Sequence, residues 1–156
     1  MQKQEGVFTR LDGAVALVTG SGRGLGRTIA DRLAAMGAAV AVHDINQEAP
    51  AQYGESESLD KVAAEIAAIG VRALAVTGDV SDEQAVAAMV ARTEKELGPV
   101  SILINVAGGD IGAAGTKPEP NGALDISLAD TMAVIQRNFV GTMLMCRAVA
   151  PGMAAR

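Results

Sequence analysis

Apolar and polar positions come in alternating blocks along this chain, and the blocks predict strands and helices in turn. Ala14 to Val18 is an unbroken run of small and branched apolar residues ending at Thr19. After a glycine turn, Leu25, Ile29, Leu33 and Met36 recur at helical spacing and predict a helix with those four on one face. Gly37 is placed to cap its C-terminus. Ala38 to His43 is a second short apolar run, ending at Asp44, and the polar residues 46–57, with Pro50 and Gly54, predict a surface loop. Leu59, Val62, Ile66 and Ile69 predict a second amphipathic helix, stopped by Gly70. Arg72 to Thr77 predicts a third strand. Ser81-Asp82-Glu83-Gln84 has the form of a capping box, and Val86, Met89, Val90 and Leu97 give the helix behind it an apolar face that ends at Gly98-Pro99.

Val100 to Asn105 predicts a fourth strand, apolar at nearly every position, as a strand covered on both faces is. Residues 106–126 are rich in glycine and proline and predict a loop. Ser127-Leu128-Ala129-Asp130 is another capping box, opening a long helix towards Met153. Met132, Val134, Ile135, Phe139, Val140, Met143, Leu144, Met145 and Val149 surround most of that helix, which is expected to be buried in its own fold or against a partner. Residues 1–13 read as an irregular lead-in ending in the turn Asp12-Gly13. Four strands alternating with helices predict βαβ units with right-handed crossovers. The expected fold is α/β, one domain with a doubly wound parallel sheet of the Rossmann type.

The turn between the first strand and the first helix carries the chemistry. Its spacing is Gly20-x-x-x-Gly24-x-Gly26, with an additional Gly22, and no reading of it gives G-x-G-x-x-G. The physics is the same for either spacing. Glycines permit a tight turn, close approach of a pyrophosphate and close packing of helix on strand. The N–H groups of the first helical turn then face an anion above the strand.

Composition narrows the function classes. With 156 residues, 49% hydrophobic and 20% charged, the chain is expected to be one soluble globular domain. Aromatics are 2%, so Ala, Val, Leu, Ile and Met must fill the core. A net charge of −5 without a basic cluster argues against nucleic acid as a partner. No apolar run approaches a membrane span, and Met1 to Arg10 lacks the apolar stretch of a signal peptide. The single cysteine, Cys146, cannot form an internal disulfide, and the expected compartment is the cytoplasm.

Taken singly, Asp79 reads as a turn aspartate, Asn105 as a strand-end polar residue and Asn138 as a polar packing residue. Taken together and in order, they resemble the short-chain dehydrogenase/reductase family from about Leu11 onwards. Thr19-Gly20-x-x-x-Gly24-x-Gly26 is similar to its cofactor-binding turn, and Asp79-Val80 to the pair that faces the adenine ring. Asn105-Val106-Ala107-Gly108 resembles its Asn-Asn-Ala-Gly signature, with Val106 in place of the second Asn, and Asn138 falls where the family carries its helical catalytic Asn. The resemblance implies cofactor binding by Gly20, Ser21, Gly22, Arg23, Gly24, Leu25, Gly26, Asp44, Ile45, Asp79, Val80, Asn105, Ala107 and Gly108. It implies that Asn105 ties the central strands together and that Ala107 and Gly108 leave room for the cofactor. It implies no metal.

Asp44 ends the second strand 18 residues after Gly26, where an acidic side chain can accept hydrogen bonds from both ribose hydroxyls and repel a 2′-phosphate. NAD is therefore favoured over NADP. Arg23 pulls towards NADP, since a guanidinium beside Gly24 can pair with that phosphate. His43 reads as a strand-end residue with no identifiable partner.

The family's proton transfer uses a Tyr, a Lys three or four residues on, and a Ser. The only tyrosine here is Tyr53, after the second strand, with Glu57 where that lysine would fall. The expectation is a cofactor-binding portion truncated before the catalytic segment, with the fourth strand an uncovered sheet edge. The expected function is hydride transfer between a nicotinamide cofactor and a secondary alcohol or ketone. In the full-length form the family resemblance implies a homo-oligomer, a dimer or tetramer, paired through the long helix. The rivals are an NADP-dependent carbonyl (3-oxoacyl-type) reductase and a catalytically inactive dinucleotide-binding module. Methyl transfer from S-adenosylmethionine also uses a glycine turn, but an acidic residue usually precedes that turn, where Val18 and Thr19 stand here.

Overall fold

The structure is a computed structural model and describes residues 10–156, except the side chain of Tyr53. The expected lead-in over residues 1–13 therefore lies mostly outside the described residues. Four strands, β1 (Val15–Thr19), β2 (Ala39–Asp44), β3 (Ala73–Thr77) and β4 (Ile102–Asn105), form one parallel sheet in the order β3-β2-β1-β4. Helices α1 (Gly24–Ala35) and α2 (Leu59–Ala67) cover one face. Helix α3 (Glu83–Leu97) and the C-terminal helical segment Gly141–Ala155 cover the other. Alternation along each strand feeds both layers. Val18, Val40 and Val42 join the α1–α2 side, while Val15, Leu17 and Val76 join the α3 side. The direction of winding reverses between β1 and β4, the place where a crevice opens above a doubly wound sheet.

Two helix predictions need correction. In α1 the buried stripe is Gly26, Ala30 and Ala34, not the Leu25 face, and Leu25 is 69% exposed. Small residues let α1 lie close on the sheet, so the large ones are displaced to its flanks, where Ile29 and Leu33 stay partly buried. In α2, Leu59, Val62 and Ile66 are buried as predicted, but the helix ends at Ala67, and Ile69 lies beyond it, exposed. Gly37 closes α1 as expected. Its N–H donates to the Ala34 carbonyl, and the Ala38 N–H donates to that of Leu33.

The cap of α3 also differs from the predicted box. Asp82, not Ser81, is the N-cap, and its carboxylate accepts from the N–H groups of Gln84 (2.8 Å) and Ala85 (3.3 Å). Ser81 instead closes a turn on Asp79. Asp82→Ala is accordingly expected to lower unfolding stability by about 1 kcal/mol, read as a shift in denaturation midpoint, and to exceed the effect of Ser81→Ala.

The long C-terminal helix is two α-segments, α4 (Leu128–Ile135) and α5 (Gly141–Ala155), joined by a π-helical turn over Gln136–Val140. Ser127 caps α4 as predicted, its hydroxyl accepting from the Asp130 N–H at 3.0 Å. The expected burial is realised on one side only. Met145 and Val149 pack into the core, whereas Met132, Ile135, Phe139 and Met143 are exposed. The reason lies in the topology: β4 is an edge strand, and all four of its residues are only half buried. The sheet covers α5 on one flank alone, and no residue of α4 is buried. Among the described residues no helix is long and apolar enough to cross a membrane.

Candidate functional site

The first residues after β1 build the floor of a cleft of about 430 Å³ at the carboxyl ends of the strands. Gly20 has φ of +64° and faces the segment after β4 so closely that a Cβ would lie 2.8 Å from the Ala107 Cα. Gly26, in the first turn of α1, packs against the Gly20 carbonyl, leaving no space for a side chain. Arg23, Gly24 and Leu25 line the cleft above them, and Asp44 and Ile45 line it from the end of β2. Asp79 and Val80 come from the end of β3, and Ala107 and Gly108 from beyond β4. Residues far apart in sequence thus meet at one crevice.

Two other predicted residues, Ser21 and Gly22, sit next to the cleft without lining it. Gly22 is buried beneath Asp44, whose Oδ2 lies 2.6 Å from where a Gly22 Cβ would be. Ser21 is fully buried, donating to the Val18 carbonyl at 2.7 Å and accepting from the His43 N–H at 2.9 Å, so it clamps β1 to β2. Asp79 makes the turn its residue type suggests, with Oδ1 accepting from the Ser81 N–H and hydroxyl.

Asn105 does not perform the strand-tying expected of it within the described chain. Its Nδ2 reaches only the Cys146 sulfur at 3.6 Å, and its Oδ1 is buried without a hydrogen-bond partner. Thr19, paired in register with Asn105, ties the strand ends instead. Its Oγ1 accepts from the N–H groups of Val106 and Ala107, both at 3.1 Å. Asn138 occupies the π turn and spends its amide on the neighbouring loop. Its Oδ1 accepts from the Gly109 N–H at 2.8 Å, and its Nδ2 donates to the carbonyls of Gly109 and Val134. The side chain therefore pins the segment after β4 to the helix.

This constellation has counterparts of known type. The family model described as short chain dehydrogenase matches residues 14–156. The chain belongs to the short-chain dehydrogenase family. It is 40% identical over 146 residues to cyclohexanol dehydrogenase from Rhodococcus sp. strain TK6, covering 92% of this chain and 53% of that protein. A 7α-hydroxysteroid dehydrogenase structure, solved with NADH and 7-oxo glycochenodeoxycholic acid, superposes with a TM-score of 0.77 at 34% identity, over 94% of this chain and 51% of the other. L-sorbose reductase from Gluconobacter frateurii, solved with NADPH and L-sorbose, gives 0.77 at 26% identity, over 95% and 50%. The chain thus spans about half the length of these relatives.

Three further residues shape the site of this member of the family without having been predicted there. Arg137, from the π turn, lines the cleft and donates to the Ile111 carbonyl at 2.7 Å. Glu55 reaches back from the loop after β2, and its Oε2 accepts from the Gly24 N–H at 2.8 Å, so a carboxylate stands at the N-terminus of α1. That loop also folds inward at Ala49 and Pro50, which are buried. His43 is 2% exposed and bonds at both ring nitrogens. Burial of the ring pushes its pKa below the ordinary histidine value, against the Gly78 bond and the charges of Asp44 and Asp79. Among these, only the hydrophilic residue inside an apolar strand was a visible signal.

Proposed function

We propose that residues 1–156 form the dinucleotide-binding domain of an oxidoreductase that moves a hydride between NAD and a secondary alcohol or ketone. The observation that carries this reading is the Glu55 carboxylate on the Gly24 N–H. It stands in for a phosphate oxygen at the positive end of α1, beside a cleft whose glycine floor has no room for side chains. The residues present fit a dinucleotide. When bound, the nicotinamide supplies the hydride acceptor or donor.

In this reading the chain's own residues divide the binding. The first N–H groups of α1 hold the pyrophosphate once Glu55 swings aside. Asp44 accepts from the adenosine ribose hydroxyls, with its other oxygen, Oδ1, already oriented by the Ile45 N–H at 2.9 Å. Ile45, 49% exposed at the cleft mouth, and Val80 offer apolar walls to the adenine. Asn138 keeps the Ala107–Gly109 backbone in place under the nicotinamide half. Tyr53 sits in the short turn Ala51–Tyr53 after β2, on the adenosine side, and is assigned no proton transfer. Residues 1–156 by themselves are therefore assigned binding without turnover. The exposed Met132, Phe139 and Met143 support self-association of the full-length protein as a dimer or tetramer, and the single cysteine, Cys146, fits a reducing cytoplasm.

Arg23, on the same cleft, favours a second reading, an NADP-dependent carbonyl reductase. Titrating the full-length protein with NADH and NADPH, followed by nicotinamide fluorescence, separates the two. Tighter NADH binding is expected, and Asp44→Ala is expected to weaken it by about tenfold while sparing or improving NADPH. Tighter NADPH binding by the wild type would make the second reading the correct one. Binding of neither would end both.

A further inference from the structure

His43 is the one buried imidazole among the described residues, and its two bonds leave no freedom in its proton. Gly20 N–H can only donate, so Nδ1, 3.2 Å away, accepts. Gly78 O can only accept, so Nε2, 2.9 Å away, carries the hydrogen. The ring thus spans three strand ends. It stands on β2, holds the first glycine after β1, and holds the residue after β3 that precedes Asp79. Gly20 and Gly78 both line the cleft, as do Arg23, Arg137 and the two carboxylates whose charge acts on the ring, Asp44 and Asp79.

We propose that His43 is a positioning residue for the dinucleotide site, holding the glycine turn in its binding shape only while the ring is neutral. A second proton would sit on Nδ1 and point at the Gly20 N–H, setting donor against donor. The turn would then lose its β2 bond at Gly20, leaving the two bonds between Ser21 and the His43 backbone on that side, while Thr19 fixes the Ala107 side. This inference rests on the proposed dinucleotide binding. Its sign follows from the neutral ring being the bonded one. Since burial lowers the ring's pKa, the folded ring stays neutral below the ordinary histidine value of 6.5, and the contribution is lost only as pH falls through the lowered value.

The test compares NADH affinity of the full-length wild type with that of three variants between about pH 5 and 8. His43→Asn keeps an oxygen near the Nδ1 position, His43→Gln keeps an amide N–H near Nε2, and His43→Val keeps neither. At pH 8 the Asn variant is expected within about threefold of wild type, and the Gln and Val variants weaker by about tenfold or more. Wild-type affinity is expected to stay level through 6.5 and to fall only further on the acid side, as pH approaches the lowered value of the folded ring, with the Asn variant flat. Asp44, Asp79, Arg23 and Arg137 are unchanged in that variant, so the difference isolates the ring. Imidazole 15N spectra of the wild type need no variant and should show the Nε2–H tautomer at neutral pH. The Nδ1–H tautomer, equal affinities for Asn and Val, or the same acid limb in the Asn variant would each overturn the proposal. Failure of the wild type to bind at any pH would overturn the function reading, and this inference with it.

Discussion

Gly26→Ala is expected to weaken dinucleotide binding by about tenfold or more and to lower stability by about 2 kcal/mol. Two effects of opposite sign meet at this position. Alanine inside a helix is favoured over glycine by about 1 kcal/mol. The new Cβ, however, would fall within the van der Waals shell of the Gly20 carbonyl oxygen, 2.8 Å from its carbonyl carbon and 3.0 Å from the Ser21 Cα. All of those atoms are backbone, so nothing flexible can turn away. Overpacking of this kind costs about 3 kcal/mol at its upper end, and the clash wins. Relief comes only by pushing α1 off the turn, which displaces the N–H groups that face the cleft. Gly24 offers the contrast. A Cβ there meets nothing, and only its φ of +56° resists substitution, so Gly24→Ala should cost about 1 kcal/mol. Denaturant midpoints and NADH titrations of the two variants check the ranking. A Gly26→Ala protein as stable and as tightly binding as wild type would refute the close-packing account.

The order of elements and the place of the crevice were legible because they follow from local pattern. Branched apolar runs of four to six residues, each followed by a polar or glycine residue, read as parallel strands once helices separate them, though β4 at the sheet edge is only half buried. The same pattern misplaced the inner face of α1. Helical periodicity marks the large apolar residues, whereas tight packing on the sheet selects Gly26, Ala30 and Ala34. Exposure of Met132 and Phe139 was equally out of reach, since it depends on what lies beside β4 and not on the helix itself. The site shows the same division. Glycines and Asp44 announce themselves by spacing, but the bonds that fix them do not. His43 meets Gly20 across 23 residues, and Glu55 meets Gly24 across 31. Asn105 illustrates the reverse. It ends β4 as its place in the sequence suggests, yet its expected bonds across the strands belong to Thr19.

That exchange makes Thr19→Val the most informative small change in the protein. Valine matches threonine in shape, so packing is preserved in a side chain that is 1% exposed. The hydroxyl oxygen is lost, and with it the acceptor for the N–H groups of Val106 and Ala107. A fully buried donor left unsatisfied costs about 1–3 kcal/mol, and these two belong to half-buried residues, so a loss of about 2–4 kcal/mol, the lower part of the range for two, is expected. In a chain of this size that corresponds to a Tm lower by about 6–12 °C. Thr19→Ser keeps the oxygen and gives up one methyl, a cost nearer 1 kcal/mol. The two variants therefore separate the hydrogen bonds from the packing. If valine proved as stable as threonine, the grip on the segment after β4 would have to come from elsewhere, and Asn105 would return as its source. If valine is destabilised and serine is not, the strand end of β1 holds both sides of the cleft: Thr19 grips Ala107, and Gly20, its neighbour, is held by His43.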